Sequence, residues 1–337
     1  PEVEYAANGS FVAAWTGKNL SGSGSATILQ RFDGSGNKVG GQIQVNAFSG
    51  TDQILDSLEV RDDGSFIVTW GDSGDIYGRL YDASGVALTA AFLINTTVSG
   101  VQQYSIARAD AAGNFVVVWE SAGQDGSGNG VFGRRYAANG TPLTGEFAIT
   151  TQTAGDQYGP VLAMDQFGNF VLAWTDGNAL DASAESVWLQ RFDATGLRVG
   201  SAQQVNQTTS GYQAWPAIAM NRTGRVVVGW EGNGPGDTYG VFARQYQLNP
   251  IVAEGLTTTF AVSLNTLPTA SVTLNLAVSD ATEAFLSVSS LTFTPANWNL
   301  PQTVTITALQ DGVVDGDVAL TLVTGAASSG DPAYNGL

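Results

Sequence analysis

The segment "GNFVVVW" ends at Trp119, and near-copies of it recur along the chain. "NGSFVAAW", "DGSFIVTW", "GNFVLAW" and "GRVVVGW" end at Trp15, Trp70, Trp174 and Trp230. Successive tryptophans are 55, 49, 55 and 56 residues apart. A period near 50 residues means stacked supersecondary units, each burying its apolar face on the next, rather than one irregular globule.

Strands within a unit can be counted from its punctuation. A glycine precedes the second strand at Gly9, Gly64, Gly113, Gly168 and Gly224, directly after Asn8 and Asp63 in the first two, as a tight hairpin that needs positive φ requires. A third strand carries an aromatic at Phe32, Tyr81, Tyr136, Phe192 and Tyr246, and stretches such as "EFAITT" supply a fourth. The second strand is apolar on both faces (Phe115, Val116, Val117, Val118, Trp119), as expected of a strand covered on both sides.

Four short antiparallel strands per repeat predict propeller blades. The fold class expected is all-β: a β-propeller of about five four-stranded blades, at about residues 1–50, 51–99, 100–154, 155–210 and 211–249. The fifth blade lacks a fourth strand, so ring closure needs a strand from elsewhere. A fragment of a six- or seven-bladed ring is the alternative. From residue 250 the tryptophan motif stops, and runs such as "TTTFAVSL", "SVTLNLAVS" and "QTVTITAL" alternate with period two, predicting a β-sandwich over 250–337.

Charge narrows the partners. Thirteen Lys and Arg face thirty Asp and Glu, a net charge of −17, so the surface repels nucleic acid and anionic lipid and offers hard oxygen ligands to calcium. The chain has neither Cys nor His, which removes disulfides, thiolate and imidazole metal sites and the Ser/His/Asp and Cys/His triads. No apolar run is long enough for direct membrane insertion. Pro1 falls inside a repeat and "PEVEYAANGSF" is not a signal peptide, so the chain reads as a processed or truncated piece with any export signal upstream.

The loops after the repeated tryptophans vary in length and content, which is where binding residues commonly sit. Surface aromatics outside the repeated position are the sugar-binding candidates: Trp188, Trp215, Tyr212 and Tyr239, with Tyr104 and Tyr158 beside them; for each the alternative is packing between blades. Asp125 in "DGSGNG" is a further ligand candidate, against a solvated loop. Gln53, Gln103, Gln157 and Gln213 are expected to bridge blades, and Arg31, Arg79, Arg135, Arg191 and Arg244 to contact acids of the next blade.

The tail, with "VAEG" at 252–255, "LTFTPANW", "PQTVTITALQD" and the acidic turn "QDGVVDGD", resembles the Calx-beta family of calcium-binding, immunoglobulin-like sandwiches. The resemblance implies Ca²⁺ held by Glu254, Asp280 and Asp311 with Asp315 or Asp317, in a domain that lacks its last strand. The repeats, as in "DQFGNFVLAW", "LQRFDATG" and "QQVN", are similar to the "DxxGNFVVxW" propeller repeats of large bacterial extracellular proteins.

These readings set the functional expectation. It is a non-enzymatic, calcium-stabilised adhesive or matrix segment of a bacterial cell-surface or secreted protein, its loops binding a glycan or a neighbouring surface protein. A purely structural subunit of a fibre or surface layer, completed by strand exchange with neighbouring segments, is the alternative. A carbohydrate-active hydrolase on a propeller, using paired carboxylates, is the third.

Overall fold

In the computed structural model the described residues are 1–18, 24–46, 51–177, 185–221, 225–234, 236–247, 255–310 and 320–336, and their regular structure is all β. The chain divides into two compact units, Pro1–Leu248 and Asn249–Leu337.

The first unit is a series of five antiparallel sheets in chain order. Blade 1 comprises β1 (Glu2–Tyr5), β2 (Phe11–Lys18), β3 (Ser25–Phe32) and β4 (Lys38–Gln44). Blade 2 comprises β5 (Gln53–Val60), β6 (Phe66–Asp72), β7 (Asp75–Tyr81) and β8 (Phe92–Leu93). Blade 3 has β9 (Gln102–Ala109), β10 (Phe115–Ala122), β11 (Asn129–Tyr136) and β12 (Phe147–Ala148). Blade 4 has β13 (Gln157–Met164), β14 (Phe170–Asp176), β15 (Ser186–Phe192) and β16 (Arg198–Gln204). Blade 5 has three strands, β17 (Gln213–Met220), β18 (Arg225–Gly234) and β19 (Asp237–Gln247). The first strands of successive blades lie side by side along an inner edge, as in a propeller. Among the described residues no ladder joins blade 5 to blade 1, so the series is not closed by hydrogen bonding.

Local chemistry builds each blade. In the turn between β9 and β10, Gly113 N–H donates to Asp110 O at 3.0 Å and the glycine sits at φ 83°, giving a turn that ends in a left-handed residue. Asp110 secures it by accepting the Asn114 N–H at 2.8 Å. Across each hairpin the first residue of the tryptophan strand stacks on the repeated aromatic: Phe66 on Tyr81, Phe115 on Tyr136 and Phe170 on Phe192, with centroids 4.8 to 5.0 Å apart. In blade 5 a valine, Val226, stands opposite Tyr246 instead.

Burial explains the doubly apolar second strand. One face of blade 3 packs into a cluster with Ile67, Ile76 and Leu80 of blade 2, and the other into a cluster with Leu162, Leu172 and Trp174 of blade 4. Polar ties follow the same junctions. Tyr136 Oη donates to Ile94 O of blade 2 at 2.8 Å, and Arg134, stacked over the Tyr136 ring, donates to the same carbonyl at 3.2 Å. Arg79 and Arg244 repeat this bond to Val45 O and Val205 O. The repeated arginine is therefore Arg79, Arg134 and Arg244, and it bonds preceding carbonyls rather than acids of the next blade. Arg31 and Arg135, one residue further on, lie against Gly85 and Gly196 in the turns of the following blade.

The glutamine set is likewise shifted by one residue in blade 3. Gln102, not Gln103, is the buried equivalent of Gln53, Gln157 and Gln213. Its amide oxygen accepts from Asn95, which closes the preceding blade, at 3.3 Å.

The second unit contains two small antiparallel sheets. One is ordered β20 (Thr257–Val262), β24 (Gln302–Ala308), β22 (Ala284–Leu286). The other centres on β21 (Val272–Val278), which pairs with β23 (Ser290–Phe293), β25 (Leu322–Thr324) and β26 (Ser328–Ser329). Leu276, Leu291, Phe293 and Val304 form its buried core. No helix among the described residues is long and apolar enough to cross a membrane.

Candidate functional site

The inner strands share an irregularity that the repeat alone does not announce. In β9, Tyr104 and Ser105 together face the single residue Trp119, because the register shifts between the Val118 and Glu120 pairs. Bulges recur at Asp56, unpaired between the Leu55–Trp70 and Ser57–Thr69 pairs, at Gly159 and Pro160 opposite Trp174, and at Trp215 and Pro216 opposite Trp230. Tyr104, Gly159 and Trp215 adopt left-handed φ values of 54°, 60° and 53°. A bulge re-aims side chains, and a left-handed tyrosine or tryptophan carries strain on the order of 1–3 kcal/mol that the surrounding contacts must hold.

Those contacts come from the residue after the repeated tryptophan. Thr16 Oγ1 accepts from Leu55 N at 2.9 Å, Glu120 Oε1 from Gly159 N at 2.7 Å, and Thr175 Oγ1 from Trp215 N at 3.1 Å. Blades 1, 3 and 4 thus grip the bulge of their successors, whereas blade 2 carries Gly71 at this position and has no side chain there to offer.

Around Tyr104 this arrangement brings two carboxyl groups to one short stretch of backbone. Asp56 Oδ2 accepts from Ser105 Oγ at 2.9 Å, and Glu120 Oε2 accepts from Gln103 Nε2 at 3.4 Å. Tyr104 lies between these two attachments and is largely exposed. Burial pushes the Asp56 carboxyl up to about 6, against the lowering effect of the Ser105 bonds. Burial also raises Glu120, opposed by the Gly159 and Gln103 bonds. One carboxyl that holds its proton up to about pH 6, on the same short stretch as a second that accepts two hydrogen bonds, is an arrangement capable of acid–base chemistry.

The rim continues into blades 4 and 5 as aromatic surface. The Tyr158 and Trp215 rings meet edge to face at 5.6 Å, and Tyr212 stacks on Tyr239 at 6.1 Å. Tyr158 Oη donates to Glu185 Oε1 at 2.6 Å, and Tyr212 Oη to Glu231 Oε1 at 2.9 Å. Burial and then these carboxylate partners raise both phenols, which stay protonated donors.

The opposite end of the inner strands carries a cavity of about 360 Å³ lined by Glu59, Arg61, Asp63, Asp110, Asp165 and Asn221 among others. Burial pushes Glu59 up to about 7 even though Arg108 lies 3.4 Å away. The aspartates here serve the hairpin turns: Asp63 accepts from Ser65 N, Asp110 from Asn114 N and Asp165 from Asn169 N. Among the described residues no set of three acidic side chains converges as a metal cage.

Three ligand candidates read from the sequence, Trp215, Tyr212 and Tyr239, therefore gather with Tyr158 on one rim. Trp188 does not join them: it lies opposite Trp174, donates to Ser186 Oγ at 3.0 Å and packs on the core between blades 3 and 4. Asp125 stands apart in the β10–β11 loop and accepts from Ser127 N at 3.1 Å. Asp280 is an exposed turn residue whose Oδ1 accepts from Thr282 N at 2.9 Å. Glu254, Asp311, Asp315 and Asp317 lie outside the described residues. Sequence reasoning missed Asp56. The signal was its place three residues after Gln53, where the equivalents after Gln102, Gln157 and Gln213 are Ser105, Pro160 and Pro216.

No family model and no curated protein matches the chain. Solved structures do. An endo-arabinase from Bacteroides thetaiotaomicron aligns at 10% identity with a TM-score of 0.40, over 72% of this chain and 90% of its own. An ulvan lyase of polysaccharide lyase family 25 aligns at 11% identity and TM-score 0.46, over 73% and 66%. The β-propeller domain of the trilobed protease from Pyrococcus furiosus aligns at 6% identity and TM-score 0.46, over 73% and 67%. The expectation of a non-catalytic adhesive segment without enzymatic activity is corrected by these matches. An arabinase, a xylanase and an ulvan lyase are among the proteins whose structures align, beside the propeller domain of the protease. At such identities the likeness concerns the fold, and the activities belong to those other proteins.

Proposed function

We propose that the five-bladed unit acts on carbohydrate, cleaving a glycosidic bond with the two carboxyl groups that flank Tyr104. The observation that carries this reading is the pairing of Asp56 and Glu120 on residues 103–105. Asp56, pushed up to about 6, is the proton donor to the leaving oxygen. Glu120, whose oxygens accept from Gly159 N and Gln103 Nε2, is the carboxylate that takes a proton from water. Aromatic faces at Tyr104 and Trp215 suit the CH faces of sugar rings, and a net charge of −17 favours a neutral glycan over a polyanionic one.

Turnover of a panel of labelled neutral polysaccharides, measured by released reducing ends, tests this. Asp56→Asn and Glu120→Gln should each lower kcat by at least about 100-fold with the melting temperature retained. The rate of the parent should fall as pH rises through about 6, where Asp56 loses its proton. Equal turnover by parent and both variants, or none by the parent on any glycan, removes the assignment.

For Asn249–Leu337 the proposal is a calcium-stabilised sandwich of the Calx-beta kind in a protein that works outside the cell. Its support is the oxygen-rich set Glu254, Asp280, Asp311, Asp315 and Asp317. Asp311→Asn with Asp315→Asn should lower the melting temperature in calcium and leave it unchanged in chelator.

A further inference from the structure

Three successive inner strands share one backbone conformation and differ in the side chain it carries. Tyr104, Gly159 and Trp215 occupy the same bulge position in blades 3, 4 and 5, at φ 54°, 60° and 53°. Blades 3 and 5 place large aromatic residues at this φ, so the glycine of blade 4 answers a need for space and not for backbone freedom. A Cβ added at Gly159 would lie 3.6 Å from Trp215 Cε3 and 3.7 Å from Cζ3. The indole therefore lies against Gly159, on ground that a longer side chain would take.

Gly159 also touches the carboxyl side of the site, since its N–H donates to Glu120 Oε1 at 2.7 Å. One residue thus separates the indole from Glu120. The indole is braced as well: Trp215 N donates to Thr175 Oγ1 at 3.1 Å, and the Tyr158 ring meets it edge to face at 5.6 Å. Tyr158 is itself anchored by its bond to Glu185. Even so, Trp215 is 58% exposed. That exposure belongs to the bulge position and not to the place of blade 5 in the series, because Tyr104, in a blade packed on both sides, is 62% exposed. A large ring held by its neighbours and still open to water loses little freedom when a ligand stacks on it.

We propose that Trp215 forms a sugar subsite of its own, one unit beyond the bond held at Tyr104, and that Gly159 is the positioning residue that lets the indole lie beside Glu120. The inference rests on the carbohydrate substrate proposed above and not on the acid–base roles of Asp56 and Glu120. Two carboxyl groups flank Tyr104, so the pair of sugars sharing the scissile bond sits there, and the CH face of a further unit stacks on Trp215 across Gly159. The substrate is then a neutral glycan chain of at least three units; a disaccharide leaves the indole bare.

Calorimetric binding of neutral oligosaccharides of increasing length to the full chain carrying Asp56→Asn, which leaves Glu120 and Gly159 in place, tests the proposal. Affinity should rise from disaccharide to trisaccharide. Adding Trp215→Ala should abolish that rise, weakening the trisaccharide at least about tenfold and the disaccharide less than about twofold, while Trp215→Phe keeps a ring and most of the affinity. Gly159→Tyr installs the residue that blade 3 carries at the same φ and should reproduce the loss by displacing the indole. Gly159→Ala, whose Cβ fits at 3.6 Å, should not. In the chain with Asp56 intact, Trp215→Ala and Gly159→Tyr should raise KM for long glycans and leave kcat unchanged, a split that general loss of structure would not give. Trisaccharide binding that Trp215→Ala leaves intact would overturn the subsite even if the parent turns the glycan over, and Gly159→Tyr with parental affinity would overturn the positioning role. Length-dependent binding through Trp215 in a chain without turnover would uphold the subsite and remove only the catalytic reading. Absence of binding to any glycan would remove both.

Discussion

Blades 3 and 5 are written in almost the same words and are buried differently. In blade 3 the run Phe115–Val116–Val117–Val118–Trp119 is buried on every residue, whereas in blade 5 Val226 and Val228 are covered and Val227 between them is exposed. The strand and its pairing partners are equivalent; what differs is that, among the described residues of this unit, blade 3 packs against a blade on each side and blade 5 against blade 4 alone. An apolar strand in a repeat protein thus specifies a junction, and the junction stabilises only where a second blade stands.

The sharpest way to break the comparison is to place the same charge at the same register in both blades. Val131→Asp buries an unpaired carboxylate between blades 3 and 4 and should destabilise the fold by about 3 kcal/mol or more, whereas Val241→Asp should stay within about 0.5 kcal/mol. Denaturant unfolding of the two variants decides it, and equal losses would mean that the end face is covered.

Acid–base linkage sharpens the contrast next. Glu59 at the junction of blades 2 and 3 is raised to about 7 by burial, while Ala219 occupies its register in blade 5. A folded value above the ordinary 4.5 means that the folded state holds the proton more tightly than the unfolded chain. Stability from this group is therefore full below about 4.5 and declines as pH rises through about 7. Thermal melting from pH 4 to 8 should show that decline, and Glu59→Gln should flatten it; a parent that gains stability over this interval would contradict the assignment.

A smaller effect separates an inner turn from an end turn. Gly113 and Gly36 share a φ near 82°, but a Cβ on Gly113 would meet Ala138 Cβ at 3.1 Å and one on Gly36 would meet nothing. Both alanine variants should lose about 1 kcal/mol to the left-handed backbone, with a further fraction at Gly113. Chemical denaturation resolves the difference.

The least perturbing pair concerns one hydroxyl. Tyr136 Oη bonds Ile94 O, while the buried Tyr246 Oη has no hydrogen-bond partner among the described residues. Tyr136→Phe should cost about 1 kcal/mol and Tyr246→Phe nothing, or should stabilise slightly. Equal costs would mean that the two tyrosines are held alike.

Much of this architecture was legible in the chain. Tryptophan spacing, the Asp-Gly turns and the paired aromatics reported five units because each depends on residues close in sequence. Register-sensitive details were less legible: the shared arginine proved to be Arg134 rather than Arg135, and the shared glutamine Gln102 rather than Gln103. A one-residue shift carries a side chain to the opposite face of a strand, and only pairing fixes the shift. Trp188 illustrates a second limit, since an indole in an alternating strand reads alike whether a neighbouring blade covers it or water does.

The sequence by itself determined the strands, the turns between them and the division near residue 250, because these follow from local periodicity and backbone preference. Tertiary structure alone decided the candidate site. Asp56 is one acid among thirty until the bulge in β5 turns it toward Ser105, and Glu120 joins it only because blade 4 offers the Gly159 N–H. It also decided which faces are covered. Both outcomes rest on contacts between residues about 40 to 50 positions apart, and no local pattern records whether such a contact is made.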